Sequence, residues 1–127
     1  MVERLLHIIP RTKFEGSILD VGCYGGWLYG YLNKPKDYTG IDKWEAAIQA
    51  AKETFPEGDF RNLDLFDFNE KRDFVWCSQL LVTHDEAQRF HDKVVSLGTH
   101  GCISYRRMDA EFIDEREVHG TLKVFRW

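Results

Sequence analysis

Residues 17–32 read SILDVGCYGGWLYGYL. The apolar residues Ile18, Leu19 and Val21 surround one acid, Asp20. Glycines follow at 22, 25 and 26, and Trp27, Leu28, Tyr31 and Leu32 then recur at helical spacing. A short apolar run, a cluster of glycines and a helical pattern read as a buried parallel strand, a tight turn and a helix start. Glycine lacks a Cβ, so such a turn lets backbone come close to a ligand. The helix start leaves N–H groups without intrahelical partners, which suits an anion. Two phosphate-binding patterns are absent. Counted from Gly22, Tyr24 and Trp27 occupy the second and third glycine positions of G-x-G-x-x-G. Gly30 stands at the P-loop distance from Gly25, but Tyr31 and Leu32 follow it. Asp20, immediately before the turn, repels phosphate and suits a ligand that carries positive charge.

Outward from this stretch, strands and helices alternate. Val2, Leu5, Leu6 and Ile9 repeat at helical spacing up to Pro10. The first strand is expected over residues 17–21 and its helix over 26–32, with a loop at 33–37. Tyr38-Thr39-Gly40-Ile41-Asp42 reads as a second strand. Residues 43–55 are alanine-rich helix material, stopped by Pro56 and Gly58. Residues 60–64 and 74–77 read as the third and fourth strands. Thr83 and Glu86 form a capping box for a helix over 83–97, and Gly98 stands where a C′ glycine belongs. Residues 102–105 give a fifth strand, and 112–127 alternate about His119-Gly120 as a hairpin. The alternation predicts one α/β domain, residues 1–127, with a largely parallel sheet.

Three acids close three successive strands in this reading: Asp20, Asp42 and Asp64. Parallel sheets bind ligands outside the carboxyl ends of their strands, where the strand order switches. A carboxylate at Asp42 can accept both hydroxyls of a ribose. Trp44, just beyond it, is placed to stack or to pack.

These residues resemble the class I S-adenosylmethionine-dependent methyltransferases, whose first motif runs roughly (hydrophobic)-L-D-x-G-C-G-x-G. Ile18, Leu19, Asp20, Val21, Gly22, Cys23, Gly25 and Gly26 fit it, and Tyr24 departs from it where the family usually has glycine. The resemblance runs from about Gly16 to Tyr105. It implies a Rossmann-like doubly wound sheet, order 3-2-1-4-5-7-6, ending in an antiparallel hairpin. In that order about eight extended residues after Asp64 must cross three strand spacings, which they reach without room for a long helix. The resemblance also implies S-adenosyl-L-methionine as cofactor, held by Asp20, Gly22, Cys23, Tyr24, Gly26, Asp42, Lys43, Asp64 and Leu65. The stretch FVWCSQLLVTH matches the family's fourth motif and would bring Cys77, Ser78 and Gln79 to the reactive end. His84 is the candidate general base for a hydroxyl acceptor. Tyr24, Tyr29, Arg106 and His119 are candidates for the acceptor side.

Composition bounds the function. Of 127 residues 43% are hydrophobic and 14% aromatic, as in a folded globule. The net charge of -4, with no basic run beyond Arg106-Arg107, disfavours a nucleic-acid surface. The N/D-P-P-Y/F tetrapeptide and the Pro-Cys nucleophile of nucleic-acid base methylation are both missing. No apolar stretch approaches the ~20 residues of a membrane span, and the N-terminus lacks a signal peptide's apolar core. Three cysteines without C-x-x-C spacing read as buried thiols in a reducing, cytoplasmic setting, and no histidine pair marks a metal site. The expectation is a methyltransferase for a small-molecule or glycan-type acceptor. The alternative is a methyltransferase-like binding partner without turnover, which the short chain favours. An apolar edge at Val124, Phe125 and Trp127, facing solvent, would favour a homodimer.

Overall fold

The computed structural model describes residues 8–80, 84–105, 118–119 and 122–127. Among the described residues ten strands and helices follow one another: β1 (Ile18–Val21), α1 (Trp27–Tyr31), β2 (Tyr38–Asp42), α2 (Glu45–Thr54), β3 (Asp59–Asn62), β4 (Arg72–Leu80), α3 (His84–Leu97), β5 (Gly98–Tyr105), β6 (Val118–His119) and β7 (Leu122–Arg126). The strands form one sheet in the order β3-β2-β1-β4-β5-β7-β6. β1 to β5 pair in parallel, while β7 runs antiparallel to both β5 and β6. This is the Rossmann-like order expected above. The link from β3 to β4 makes the three-strand crossing with only one 3-10 turn, Leu65–Asp67.

The inner strands are buried on both faces because both faces are covered, β1 throughout and β2 over all but its last residue, whereas the edge strand β3 buries only Phe60. On one face Leu19, Val21, Ile41, Val75, Cys77 and Ile103 pack against Val94 and Leu97 of α3, together with Leu65 and Phe68. On the other, Ile18 and Tyr38 pack with Tyr29 of α1, Ile48 and Ala51 of α2, and Phe60. Phe74, Trp76, Cys102 and Val124 continue that face against Leu28 of α1 and the 3-10 turn Ile9–Arg11. The alanines of α2 serve this packing. Ala47 and Ala51 are buried, and the helix ends at Thr54 with Phe55 as its cap, ahead of Pro56.

Several expectations need correction. β4 and β5 run about twice as far as their apolar cores, because ladder pairing is a backbone matter that polar residues join when a neighbouring strand is present. Arg72 pairs with Gly98, and Leu80 with Tyr105. Gly98 is therefore the first residue of β5 and not a left-handed C′ residue; a Cβ there would come within 2.6 Å of a Val75 methyl. β3 ends at Asn62, so Asp64 lies beyond the strand. The apolar edge expected at the end of the chain is covered from within. β7 is inserted between β5 and β6, Val124 is buried, and Phe125 and Trp127 pack on the core with their rings stacked 6.0 Å apart. Thr83 and the first arm of the expected hairpin, 112–117, lie outside the described residues, as do residues 1–7.

One packing constraint sits at the sheet's centre. Gly40 is the β2 partner of Asp20 in β1. A Cβ on it would lie 2.9 Å from both the Tyr38 hydroxyl and the Cys23 Cβ. Gly40→Ala is therefore expected to destabilise the fold by about 1–3 kcal/mol, the usual cost of overpacking a tight site. Urea denaturation followed by circular dichroism measures it; wild-type stability in the variant would contradict the close packing described.

Candidate functional site

The sheet order reverses between β1 and β4, so the carboxyl edge of the central strands is the place to look for a site. After Val21 the chain turns at Gly22, whose φ of 72° lies in the left-handed region. The N–H groups of Gly22 and Cys23 both donate to the Ile41 carbonyl, at 2.9 and 3.0 Å, and lash the turn to the end of β2. The next residue, Tyr24, also has a left-handed φ of 52°.

Asp42 ends β2 and organises two loops at once. Its Oδ2 accepts from the Tyr24 N–H at 3.0 Å, and its Oδ1 accepts from the Trp44 N–H at 2.9 Å. Each oxygen keeps a further lone pair, and the bound N–H groups fix the direction in which it points. The Asp42 carbonyl is held as well, by the Leu63 N–H at 3.0 Å and the Asn62 side-chain amide at 3.1 Å. Asp64, beyond β3, caps the 3-10 turn by accepting from the Phe66 N–H at 2.9 Å.

Between these loops lies a cavity of about 150 Å³ lined by Val21, Gly22, Ile41, Asp42, Lys43, Leu63, Asp64, Leu65 and Phe90. A cavity of roughly this volume admits one aromatic ring. Its walls are mostly apolar, and two carboxylates stand at the rim. A Cβ built on Gly22 would meet nothing within 4 Å, so the turn presents bare backbone to open space. A larger cavity, about 580 Å³, opens at the opposite end of the sheet among Arg11, Lys13, Phe74, His100 and Trp127. It lies at the amino ends of β4 and β5, away from the strand-order switch, so the smaller cavity is the better candidate for the site.

Asp20 is placed differently from the expectation of a free charge facing a cation. It is 2% exposed and points to the α1 side of the sheet. There its Oδ2 accepts from the Tyr38 hydroxyl at 2.5 Å, reached across the space that Gly40 leaves empty. Burial pushes its carboxyl up to about 7. The Tyr38 hydrogen bond works against that rise and the Asp42 carboxylate adds to it. Tyr38 is itself held well above its ordinary range, by burial first and then by Asp20, so it stays a donor.

The other expected residues divide. Gly22, Asp42, Lys43, Asp64 and Leu65 line the cavity together. Cys23 is fully buried beneath the turn, with its thiol pushed far up by burial and by Asp20 and Asp42. Gly26 faces the ring of Phe60, 2.8 Å from where its Cβ would be, and so allows α1 to pack. Cys77 is level with Val21, but its side chain is enclosed in the core and its thiol is pushed up by burial. Ser78 is half-buried where the β4–β5 register shifts. Tyr29 belongs to the aromatic core, against Tyr38, Phe55 and Phe60. Arg106 and the side chains of Gln79, His84 and His119 lie outside the described residues. Three contributors went unread: Tyr38, Leu63 and Phe90. For Tyr38 a signal existed, since Tyr38 and Gly40 are two apart on one strand face. Phe90 follows from nothing local, because the packing of α3 brings it to the cavity.

Comparison with known proteins gives the following. A family model described as a methyltransferase domain matches residues 18–101. The 235L protein of Invertebrate iridescent virus 6, which carries a methyltransferase name, is 36% identical over 64 residues, or 46% of this chain and 24% of the viral protein. The magnesium protoporphyrin IX methyltransferase ChlM of Synechocystis PCC 6803, solved with S-adenosylmethionine, superposes with a TM-score of 0.69 at 20% identity, covering 84% of this chain and 57% of that one. The N-methyltransferase NodS of Bradyrhizobium japonicum WM9, solved with S-adenosylhomocysteine, gives 0.65 at 19% identity, covering 84% and 60%. The chain thus spans about a quarter of the viral relative and somewhat more than half of the two enzymes. The two structural likenesses establish a shared fold.

The Asp20–Tyr38 pair generates a pH prediction. The folded-state pKa of Asp20 lies above its unfolded value, so the folded state binds the proton more tightly. The contribution of Asp20 to stability is then fully present below about pH 4, is lost as pH rises towards about 7, and levels off above. Asp20→Asn cannot ionise and should remove this slope. Relative to wild type it should gain stability steadily across that window, by at most about 4 kcal/mol at neutral pH. Urea denaturation of both proteins between pH 4.5 and pH 8 makes the comparison; a pH-independent difference would mean that Asp20 titrates as an ordinary carboxylate.

Proposed function

Because the chain belongs to the methyltransferase domain family, we propose that it binds S-adenosyl-L-methionine at the carboxyl edge of β1, β2 and β3 and transfers its methyl group to a small-molecule or glycan-type acceptor. The observation that carries this reading is Asp42. Two backbone N–H groups orient its carboxylate at the mouth of a ring-sized apolar cavity. That arrangement fits a nucleoside. The paired oxygens accept from two ribose hydroxyls, the walls formed by Leu63, Leu65 and Phe90 take the flat base, and the bare backbone at Gly22 allows close approach. Asp64, on the same cavity, is the acceptor available to an exocyclic amino group.

When bound, S-adenosylmethionine supplies a methyl group on a positively charged sulfur. The protein's part is alignment, which alone accounts for much of the rate in reactions of this kind. Asp42 and the glycine turn hold the adenosine end rigidly and leave the end nearest β4 for the acceptor. His84, where α3 begins after the end of β4, is the proposed general base for a hydroxyl acceptor. The missing base-methylation motifs support an acceptor other than a nucleic-acid base. Cys23, Cys77 and Cys102 are all buried, and the buried thiols of Cys23 and Cys77 support a reducing, cytoplasmic setting. Among the described residues no helix is long and apolar enough to cross a membrane.

Isothermal calorimetry with S-adenosylmethionine and S-adenosylhomocysteine tests the reading. Binding near micromolar, about -8 kcal/mol, is expected, together with a rise in melting temperature. Asp42→Ala should weaken it by about ten- to a hundredfold, since charge-assisted hydrogen bonds contribute roughly 1.5–3 kcal/mol. Neither heat nor thermal shift in folded wild-type protein would overturn the proposal. Formation of S-adenosylhomocysteine across an acceptor panel then separates turnover from binding alone.

A further inference from the structure

We propose that Tyr24 and Trp44 form an aromatic clip that closes on the sugar of an adenosine-type ligand held at Asp42, and so determine specificity for it. The proposal rests on the cofactor site described above and deepens it. Three observations carry it.

The first is backbone geometry. Tyr24 stands at a φ of 52°, a conformation that glycine adopts freely and a bulky residue does not. A strained residue of this kind persists where something else repays it. Burial does not, because Tyr24 is 56% exposed.

The second is the partner. Trp44 is 53% exposed, and the two rings meet with centroids 5.2 Å apart at 59°. Tyr31 is the only other described large hydrophobic residue so exposed, which sets this touching pair apart on the surface.

The third is placement. The N–H groups that hold the two Asp42 oxygens belong to Tyr24 and Trp44 themselves. The loops carrying the rings are therefore hung from the carboxylate that faces the ligand. Any diol bound to the remaining lone pairs of Asp42 is brought in beside both residues. Aromatic rings there exclude water from the hydrogen bonds and cover the ring carbons of the sugar. The other account of the pair is surface packing that steadies the two loops. The accounts differ in what they predict. A packing pair contributes stability and leaves affinity alone, whereas a ligand clip contributes affinity at no gain, or at a loss, in stability.

The test uses Tyr24→Asn, Tyr24→Phe, Trp44→Ala and Trp44→Phe in the full chain. Asparagine tolerates the left-handed conformation and has no ring; phenylalanine keeps the ring. Each variant is titrated by calorimetry with S-adenosylhomocysteine and with adenosine, and unfolded in urea. Tyr24→Asn and Trp44→Ala should bind both ligands about three- to tenfold more weakly. Tyr24→Asn should be at least as stable as wild type, and both phenylalanine variants should retain wild-type affinity. Unchanged affinity in Tyr24→Asn and Trp44→Ala, with lowered stability, overturns the clip in favour of packing. A loss confined to S-adenosylhomocysteine overturns the assignment to the sugar and moves the rings to the amino-acid tail. A wild-type protein that binds neither ligand overturns the cofactor site and the clip together, whereas tight binding that ignores both rings overturns the clip alone.

Discussion

The carboxylate of Asp42 is the point on which the site depends. Both its oxygens are held by backbone N–H groups, one from the glycine turn after β1 and one from the start of α2. Its carbonyl takes the chain leaving β3. Three loops that share no sequence proximity are thereby gathered around one residue at a strand end. The parallel sheet makes this arrangement available, since it brings the carboxyl ends of β1, β2 and β3 to one edge in register. A carboxylate exposed to solvent alone would be free to rotate. Here its direction is set before any ligand arrives, which lowers the ordering cost of binding.

The two other acids of the strand-end series have different work. Asp20 lies on the α1 side, under the turn, where burial makes its ionised form costly and Tyr38 supplies its hydrogen bond. Asp64 spends one oxygen on capping a 3-10 turn and still reaches the cavity. Three acids that look equivalent in a list of strand ends are thus a buried hydrogen-bond acceptor, a two-loop clamp and a turn cap on the rim. Position along the sheet separates them. Asp20 is level with Gly40, two residues short of Asp42 on the same face, and so is enclosed, whereas Asp42 stands at the open end of β2 and Asp64 lies beyond β3.

The contrast runs through the glycines and aromatics as well. Gly22 lines the cavity, while Gly26 and Gly40 clear room for the rings of Phe60 and Tyr38. Tyr29 and Tyr38 sit in the core, and Tyr24, five residues before the first of them, stands exposed on a strained backbone. Composition cannot distinguish these cases, because each role follows from what lies across the sheet.

The sequence by itself determined the element order, the parallel character of the sheet, the glycine turn at its centre, and Asp42 as the residue closing β2. These are local matters. Apolar runs, helical spacing, breakers such as Pro56 and the strand-turn-helix pattern of residues 17–32 act within a few residues of themselves. Tertiary structure alone decided the lengths of β4 and β5, the burial of Val124 in β7, the hiding of Asp20, and the arrival of Leu63 and Phe90 at the cavity. Each of those depends on a partner far away in the chain. Pairing of Arg72 with Gly98 extends a strand through polar residues, and the empty space at Gly40 lets Tyr38 reach across to Asp20. A ladder hydrogen bond or a missing Cβ has no signature in the local pattern, because its effect exists only once the second strand is in place.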